Sequence, residues 1–229
     1  MISLKNIYRY YDNKYQRSFI LKDVCFDVEE GEFVTVMGPS GAGKSTLLNI
    51  IGMLDEPNEG EYTFYEKLIH NLKEKQKVQY HREFIGFIFQ AFHLIEEMTV
   101  YENIETPLLY RKVKHKNRKG MIADMLDQFN IVAKKDLFPS QLSGGQQQLV
   151  GIARAIVGSP KLLLADEPTG NLHSEQGKMI MDLLRDLNRE GMTIIQVTHN
   201  EEFARYGNRI MRLEDGLIKK EEKLMEEPV

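Results

Sequence analysis

The stretch FVTVMGPSGAGKSTLLNIIG, Phe33–Gly52, decides the fold of this protein. It opens with a run of apolar and β-branched residues, passes through a glycine-rich turn, and ends in apolar residues at helical spacing. Residues 38–45 follow the pattern G-x-x-x-x-G-K-[ST], and a preceding strand and following helix are the context that this pattern requires. The stretch therefore predicts a phosphate-binding loop at the start of a helix.

Each residue type in this loop has a physical reason. Gly38, Gly41 and Gly43 let the backbone curl so that consecutive N–H groups point at phosphate oxygens. Lys44 is expected to reach the β- and γ-phosphates, and Ser45 to ligate Mg²⁺. ATP and Mg²⁺ are the predicted cofactors, and the other expected nucleotide contacts are Pro39, Ser40, Ala42 and Thr46.

A second stretch, LLLADEPTG, places two acids directly after an apolar strand. In P-loop proteins the acid at the end of a neighbouring buried strand holds Mg²⁺, and Asp166 fits that place. Glu167 can orient and polarise the attacking water, and a general base of this kind contributes about 10²–10⁴-fold to a rate. The pair predicts nucleotide hydrolysis at the carboxyl edge of an α/β sheet.

Strand-like and helix-like segments alternate along the chain, which predicts a mainly parallel α/β sheet. Residues from Met98 to about Val157 form a mostly helical block. A Glu-Gly turn is predicted at Glu30-Gly31, and Asp-Gly in RIMRLEDGLIKKEE indicates a terminal hairpin. The other predicted strands are ISLKNIYRYY, VCFDV, EGEYTFY, FIGFIFQ, KLLLAD and MTIIQVTHN, and the longest predicted helix is SEQGKMIMDLLRDLNREG.

Composition excludes several classes of protein. The 229 residues include one cysteine, Cys25, so no internal disulfide can form, and this thiol is expected to be buried. No apolar run approaches the roughly 20 residues of a membrane span, and the N-terminus has no signal-peptide pattern. The net charge of −4 argues against nucleic-acid binding. The basic run at residues 111–120 fits a solvated loop or helix end, or a contact with a partner or anionic lipid.

The joint pattern GPSGAGKS, FIFQ, LSGGQQQ, LLLADEPTG and VTH resembles the nucleotide-binding domain of ATP-binding-cassette (ABC) transporters, over essentially the whole chain. The resemblance implies an α/β fold: a P-loop NTPase (RecA-like) core, an antiparallel β subdomain and an inserted α-helical subdomain. It implies a single domain, 1–229, with its core at about 1–90 and 160–229 and its helical lobe at about 91–159.

The same resemblance assigns roles outside the phosphate loop. Tyr11 is expected to stack on adenine, with Tyr8, Tyr10 and Tyr15 as alternatives. Gln90 matches a Mg²⁺ ligand that also senses the membrane partner. His199 matches the histidine that contacts the γ-phosphate, so Glu167, His199 and Lys44 form the expected catalytic set.

The segment LSGGQ supplies the signature motif Ser143, Gly144, Gly145 and Gln146. Ser143 can cap the following helix, and the two glycines leave its first N–H groups uncovered for an anion. By resemblance, this surface faces the γ-phosphate bound by another subunit. A homodimer in the ATP-bound state is therefore expected, arranged head to tail around two nucleotides.

A finer resemblance is to the MacB/LolD/FtsE group. It implies an FtsX- or MacB-like integral-membrane permease as a separate chain, a membrane-fusion or periplasmic adaptor as a further candidate partner, and a peripheral position on the cytoplasmic side of the cell membrane. An export or efflux ATPase and an FtsE-like regulator of cell-wall hydrolases or cell division, without transport, both fit. A soluble ABC ATPase of DNA repair or translation would carry coiled-coil or zinc insertions or a second cassette, which the sequence lacks.

The segment AFHLIEEMTV offers Phe92, His93, Leu94 and Ile95 to the permease, although lobe packing would explain about half of them. His70, His81, His93 and His115 show no ligand spacing, which argues against a metal other than Mg²⁺.

Two positions depart from the group's pattern. His173 stands where Asp usually ends the loop G-N-L-D that links two ATP sites, and we hypothesise weaker coupling or pH-sensitive hydrolysis; local repacking with little effect is the alternative. Leu149 stands where Arg is usual. An ion pair would be lost there, which matters little if the position is exposed.

Overall fold

The computed structural model describes residues 1–13 and 16–224. These residues form a six-stranded sheet in the order β10-β9-β3-β8-β7-β6 and a four-stranded sheet in the order β2-β1-β4-β5. The strands are β1 Ile2–Asn13, β2 Gln16–Val28, β3 Phe33–Met37, β4 Glu59–Phe64, β5 Lys67–Leu68, β6 Ile85–Ile88, β7 Leu162–Asp166, β8 Thr193–Thr198, β9 Arg209–Glu214 and β10 Leu217–Lys223.

Seven α-helices connect or cover these strands within the described residues. They are α1 Lys44–Ile51, α2 Glu74–Phe84, α3 Val100–Tyr110, α4 His115–Gln128, α5 Gly144–Ile156, α6 Ser174–Arg189 and α7 Glu201–Ala204. None of them, in the part of the chain that the structure describes, is long and apolar enough to cross a membrane.

The six-stranded sheet is parallel except for its edge strand β10, which pairs antiparallel with β9. All five residues of β3 are buried, as a strand covered on both faces requires. At the carboxyl edge Met37 lies opposite Thr198, and Asp166 opposite Val197. The register therefore brings the phosphate loop after β3, the acids at the end of β7 and His199 after β8 to one edge.

The four-stranded antiparallel sheet packs against the phosphate loop. A side chain at Gly43 would come within 2.9 Å of Leu21 Cδ2 and 2.8 Å of Ile20 O, so β2 touches this loop directly. The chain passes from this sheet to the parallel one through the predicted turn at Glu30-Gly31, where Gly31 has φ +80°. The antiparallel sheet thereby forms one wall of the candidate site.

Helices α3, α4 and α5 lie between β6 and β7 in the chain, where the sequence predicts a helical block. Their buried apolar residues, Ile104 and Ile122 among them, join one cluster with Leu163 and Ile194 of the parallel sheet. The division into a core and a lobe stays a prediction, since the two share this cluster.

Some boundaries differ from the sequence prediction. Helix α2 was not predicted, because EKQKVQYHREF is mostly polar and shows no clear apolar stripe. Strand β2 begins at Gln16, several residues before the predicted start at Val24. Strand β6 ends at Ile88 rather than Gln90.

The expectation that Cys25 is buried is wrong. The thiol is exposed, and its Sγ accepts a hydrogen bond from the Asn6 backbone N–H at 3.3 Å. Its neighbours Val24 and Phe26 are buried instead, and Cys25 projects to the outer side of β2, a strand at the edge of its sheet.

Candidate active site

The phosphate loop joins β3 to α1, and its glycines adopt conformations that other residues avoid. Gly41 and Gly43 have φ of +79° and +101°. Gly38 is required for space, because a Cβ there would lie 2.0 Å from the Leu213 carbonyl oxygen. The loop in the fold thus has the curled backbone that the motif predicts.

Helix α1 begins with unpaired amides directed at this loop. Its N-cap, Gly43, has no side chain to cap the helix, and the first helical hydrogen bond runs from Leu47 N to Gly43 O at 2.9 Å. The amides of Lys44, Ser45 and Thr46 therefore have no acceptor within the helix. These N–H groups and the positive end of the helix dipole suit an anionic phosphate.

Lys44 is buried, and its Nζ donates to the carbonyl oxygens of Gly38 at 2.8 Å and Pro39 at 3.0 Å. These contacts hold the ammonium group across the mouth of the loop. A cation in that position can meet the outer phosphates of a nucleotide that occupies the loop.

The two predicted magnesium ligands lie side by side. Ser45 Oγ donates to Asp166 Oδ1 at 3.1 Å, although the two residues are far apart in the chain. Burial raises the pKa of Asp166, and the hydrogen bond from Ser45 offsets part of that effect. The nearby Glu167 carboxylate also raises the Asp166 pKa, and Lys44 lowers it.

These oxygens fit Mg²⁺, which prefers hard oxygen ligands and usually binds through one or two protein groups together with substrate phosphates and water. Among the described residues there is no cluster of three or more His, Cys, Asp or Glu that could hold a metal alone. A Mg²⁺ ion here would bind to Ser45 and Asp166 with the nucleotide supplying further oxygens.

Glu167 lies at the centre of a small hydrogen-bond network. His199 Nδ1 lies 2.8 Å from Glu167 Oε1, and Thr198 Oγ1 donates to Glu167 Oε2 at 3.2 Å. The Glu167 backbone has φ +47°, an uncommon conformation for a residue with a side chain. The structure therefore places Glu167, the predicted general base, within hydrogen-bond distance of His199, the residue predicted to meet the γ-phosphate.

Gln90 lies in the segment after β6 and meets the loop that follows Glu167. Asn171 Nδ2 donates to Gln90 O at 2.8 Å, and a Cβ on Gly170 would come 2.6 Å from Gln90 Nε2. Among the described residues, the Gln90 side chain makes no hydrogen bond to Ser45 or Asp166. Its role as a Mg²⁺ ligand stays a prediction.

The signature motif forms the N-terminus of α5. Ser143 Oγ accepts a hydrogen bond from Gln146 N at 3.4 Å, and Ser143 N donates to Gln146 Oε1 at 3.1 Å, which is a complete capping box. The predicted cap is therefore confirmed. Within the described residues no hydrogen bond joins the signature motif to the phosphate loop of the same chain.

Tyr11, the residue expected to stack on adenine, lies on the same face of β1 as Arg9. Arg9 pairs with Leu21, whose side chain reaches Gly43 of the phosphate loop. Tyr11 lies two residues after Arg9 and shares its face. Tyr11 is 54% exposed, and the Arg9 guanidinium lies 4.9 Å from the centroid of its ring.

The alternatives to Tyr11 have other surroundings. Tyr10 projects to the opposite face, where its hydroxyl donates to Glu59 Oε1 at 3.0 Å. Tyr8 is half-buried and packs edge-on against Phe19. Tyr15 lies outside the described residues. The face that Tyr11 shares with Leu21 favours it among the described tyrosines, and its stacking role stays a prediction.

Three residues that the sequence analysis did not single out contact this network. Thr198 and Asn171 donate to Glu167 and Gln90 as described, and Gln148 Nε2 donates to Pro168 O at 2.8 Å. Each lies inside or beside a quoted motif. A polar residue on the apolar face of α5, as at Gln148, is the signal that could have identified a buried side chain with a specific partner.

Comparison with known sequences and structures gives the family context. Residues 21–170 match the sequence family described as ABC transporter. The chain is 43% identical over 218 residues to the uncharacterized ABC transporter ATP-binding protein MJ1508 of Methanocaldococcus jannaschii, covering 95% of this chain and 97% of that protein.

A second relative is much longer than this chain. The macrolide export ATP-binding/permease protein MacB of Bdellovibrio bacteriovorus is 40% identical over 228 residues, covering 100% of this chain and 35% of MacB. The chain thus spans about a third of that protein's length.

One similar solved structure is the dimeric post-hydrolysis state of the ATP-binding cassette MJ0796 of Methanocaldococcus jannaschii, bound to ADP and Pi. It has a TM-score of 0.91 and 42% identity, and the match covers 98% of this chain and 99% of that chain. CbiO1 from Clostridium perfringens, part of the ABC transporter complex CbiONQ, has a TM-score of 0.86 and 27% identity, covering 97% and 88%. These matches confirm the predicted fold class.

Proposed function

Since this chain belongs to the ABC transporter family, we propose that it is the ATP-hydrolysing subunit of an export or efflux complex. In this proposal two copies dimerise on ATP and drive an FtsX- or MacB-type permease from the cytoplasmic face of the membrane. The contact of Glu167 with His199, close to the Ser45–Asp166 pair, is the observation that carries the hydrolytic part.

The chemistry follows from the positions of these residues. The amides at the start of α1 and the Lys44 ammonium bind the phosphates. Ser45 and Asp166 would hold Mg²⁺, which would supply positive charge to offset the charge of the transferring phosphoryl group. Glu167 accepts a proton from the attacking water. His199 orients the Glu167 carboxylate through Nδ1, and its side chain is exposed enough to meet a γ-phosphate.

The dimer is supported by the surroundings of the signature motif within one chain. The signature motif packs beside the loop after Glu167, where a Cβ on Gly144 would lie 3.6 Å from Leu172 Cδ2, and it makes no hydrogen bond to the phosphate loop within the described residues. Its capped but otherwise uncovered amides would bind the nucleotide of a second copy. The relative MJ0796 is dimeric in its post-hydrolysis state.

The permease is proposed to dock near the segment after Gln90. Phe92 and His93 both have positive φ, and Arg154 donates to their carbonyl oxygens at 2.9 and 2.6 Å, so this turn is fixed by α5. His93 and Ile95 are exposed, whereas Phe92 and Leu94 are half-buried. The exposed pair is the part of the surface that a partner could contact.

Glu167→Gln tests the hydrolytic proposal. The variant is expected to bind ATP and Mg²⁺, to lose about 10²–10⁴-fold in hydrolysis rate, and to accumulate as a dimer on size-exclusion chromatography. Lys44→Ala is the control, because it should lose the dimer together with nucleotide binding. A Glu167→Gln protein that stays monomeric in ATP and Mg²⁺ would contradict the assignment of Glu167 or of the dimer.

The trapped dimer also identifies the partner when it is used as bait in native membranes. A co-purifying permease with a large extracytoplasmic domain supports export, with or without an adaptor. A small four-span FtsX-like protein together with a cell-wall hydrolase supports the regulatory alternative. Recovery of nucleic-acid-bound complexes alone would contradict both.

A further inference from the structure

Gln148 is a buried polar residue on the apolar face of α5. It shares a face with Ile152 and Ile156, one and two turns further along, and its side chain is 0% exposed. Its Nε2 donates to Pro168 O at 2.8 Å, while Oε1 has no hydrogen-bond partner within residues 1–13 and 16–224. A half-satisfied buried amide is less favourable than an apolar side chain of the same shape, so packing alone does not explain this glutamine.

The direction of this hydrogen bond is fixed by its partner. A backbone carbonyl oxygen can only accept, so the Gln148 amide must present its NH₂ group to Pro168 O. Pro168 directly follows Glu167. The contact therefore acts on the Pro168–Thr169 peptide unit, one residue beyond the expected general base.

The backbone around Glu167 is a short strained turn. Glu167 has φ +47°, and Gly170 N donates to Glu167 O at 2.9 Å. From the sheet side, Glu167 N donates to Val197 O at 3.0 Å. Gln148 contacts the same turn from α5, so the position of the Glu167 carboxylate depends on both the sheet and this helix.

Helix α5 carries the signature motif in its first turn, about one turn before Gln148. The capping box of Ser143 and Gln146 fixes its first turn, and Gln148 lies about 6 Å along the axis from Gly144. A short helix without an internal break moves as one body. Displacement of the signature surface therefore moves Gln148 and the Pro168 carbonyl with it.

We propose that Gln148 is a positioning residue that couples the two ATP sites of the dimer. When the signature surface of one chain engages the nucleotide of its partner, Gln148 sets the position of Glu167 at the chain's own nucleotide. This inference rests on the proposed roles of Glu167 and the signature motif. Hydrolysis at each site then depends on engagement at the other.

Gln148→Met removes the donor and keeps the length and volume of the side chain. We expect kcat for ATP to fall about tenfold or more, because small displacements of a catalytic group cost up to about 10²-fold. The KM for ATP should stay within about twofold, as should dimer formation by the Gln148→Met, Glu167→Gln double variant. Loss of kcat without loss of binding separates positioning from a general loss of structure.

Gln147→Met is the matched control. Gln147 is the neighbouring residue of α5, and its Nε2 donates to two other backbone carbonyls, Pro139 O at 3.1 Å and Leu142 O at 3.2 Å. The Gln147→Met variant therefore loses hydrogen bonds of the same kind, but none of them reaches the turn that contains Glu167. Its kcat is expected to stay within about twofold of the parent value.

Gln148→Glu provides a second readout. Its protonated carboxyl can donate to Pro168 O and its carboxylate cannot, so activity relative to the parent protein should rise as pH falls from 8 to 6. The ratio for Gln148→Met should be flat over this range. Gln148→Asn, shorter by one methylene, should show the loss of kcat even if the methionine variant does not fold.

The outcomes are distinguishable. A parent protein that fails to hydrolyse ATP overturns the proposed function and this inference with it. A parent protein that hydrolyses ATP while folded Gln148→Met and Gln148→Asn match its kcat overturns the inference alone. Equal kcat losses in the Gln147 and Gln148 variants also overturn it.

Discussion

Glu167 illustrates how single residues in this site depend on their neighbours. Its carboxylate accepts from Thr198 and contacts His199, while its backbone lies in a left-handed conformation. Such conformations persist only when surrounding contacts determine them, and the bonds to β8 and from α5 supply those contacts. These contacts fix the orientation of Glu167, the proposed general base.

Leu149 is half-buried and packs against the apolar cluster shared by α4, α5 and α6. The position is therefore not a fully exposed one, and the leucine takes part in the packing of the helices. Where the group usually has Arg, this chain therefore has an apolar contact.

His173 is the N-cap of α6, and its side chain makes no capping hydrogen bond. Asp at this position can accept from the free amides of the first turn and interacts favourably with the helix dipole. We expect His173→Asp to raise the free energy of unfolding by about 0.5–2 kcal/mol, measured by urea denaturation. His173→Ala, which has no acceptor, should show no such gain.

The same variant tests the hypothesis on coupling between the two ATP sites. If His173 weakens that coupling, His173→Asp should raise steady-state ATPase activity and reduce its variation between pH 6 and 8. An unchanged pH profile would leave only the gain in stability and would contradict the hypothesis.

At the scale of elements, helix caps decide where α3 and α5 begin. Both start with a capping box, Thr99 with Glu102 and Ser143 with Gln146. In both helices the capping box fixes the direction of the remaining free amides of the first turn. In α3 this stabilises the fold, whereas in α5 it also orients the amides of the signature motif.

The cap of α3 gives a pH-dependent prediction. The Thr99 backbone N–H and hydroxyl both donate to Glu102 at 2.8 Å, and these bonds lower the pKa of Glu102 below its usual value of 4.5. A carboxyl with a lowered folded-state pKa adds stability that is complete above its unfolded pKa and is lost as pH falls through the folded value.

Glu102→Ala should therefore be less stable than the parent protein near pH 7, and this difference should shrink as pH falls below about 4.5. Thermal unfolding across this range measures it. Glu97→Ala, which changes an exposed acid just before the helix, should show no such dependence. A difference for Glu102→Ala that is constant with pH would mean that the carboxylate does not contribute through this cap.

At the scale of the whole molecule, the expected dimer places half of each site on each chain. A subunit with Lys44→Ala has a defective phosphate loop and an intact signature motif, and a subunit with Ser143→Arg has the reverse. In a head-to-tail dimer, only the mixed pair contains one intact composite site.

Each variant alone should therefore be inactive, whereas half of the pairs in an equal mixture are mixed and each has one intact site of two. The mixture should recover about a quarter of the parent activity if the two sites act independently, and about tenfold less if they are coupled through Gln148 as proposed above. Phosphate release at fixed total protein measures this. Activity of the mixture no greater than that of either variant would contradict the shared site.

The sequence by itself determined the phosphate loop, the acids after β7, the cap at Ser143 and the alternation of strands and helices. These features are local: a glycine-rich turn, a capping serine and an apolar strand act through their own backbone and immediate neighbours. The predicted α1, α5 and β3 accordingly agree with the structure to within about a turn or less.

Only the tertiary structure decided which distant residues meet. The parallel register of β3, β7 and β8 brings Ser45 to Asp166 and His199 to Glu167, and the packing of α5 brings Gln148 to Pro168. The tertiary structure also leaves Cys25 exposed and contains helix α2, whose polar sequence has little apolar periodicity. Contacts of this kind depend on how elements pack across long stretches of chain, and local sequence patterns do not encode that packing.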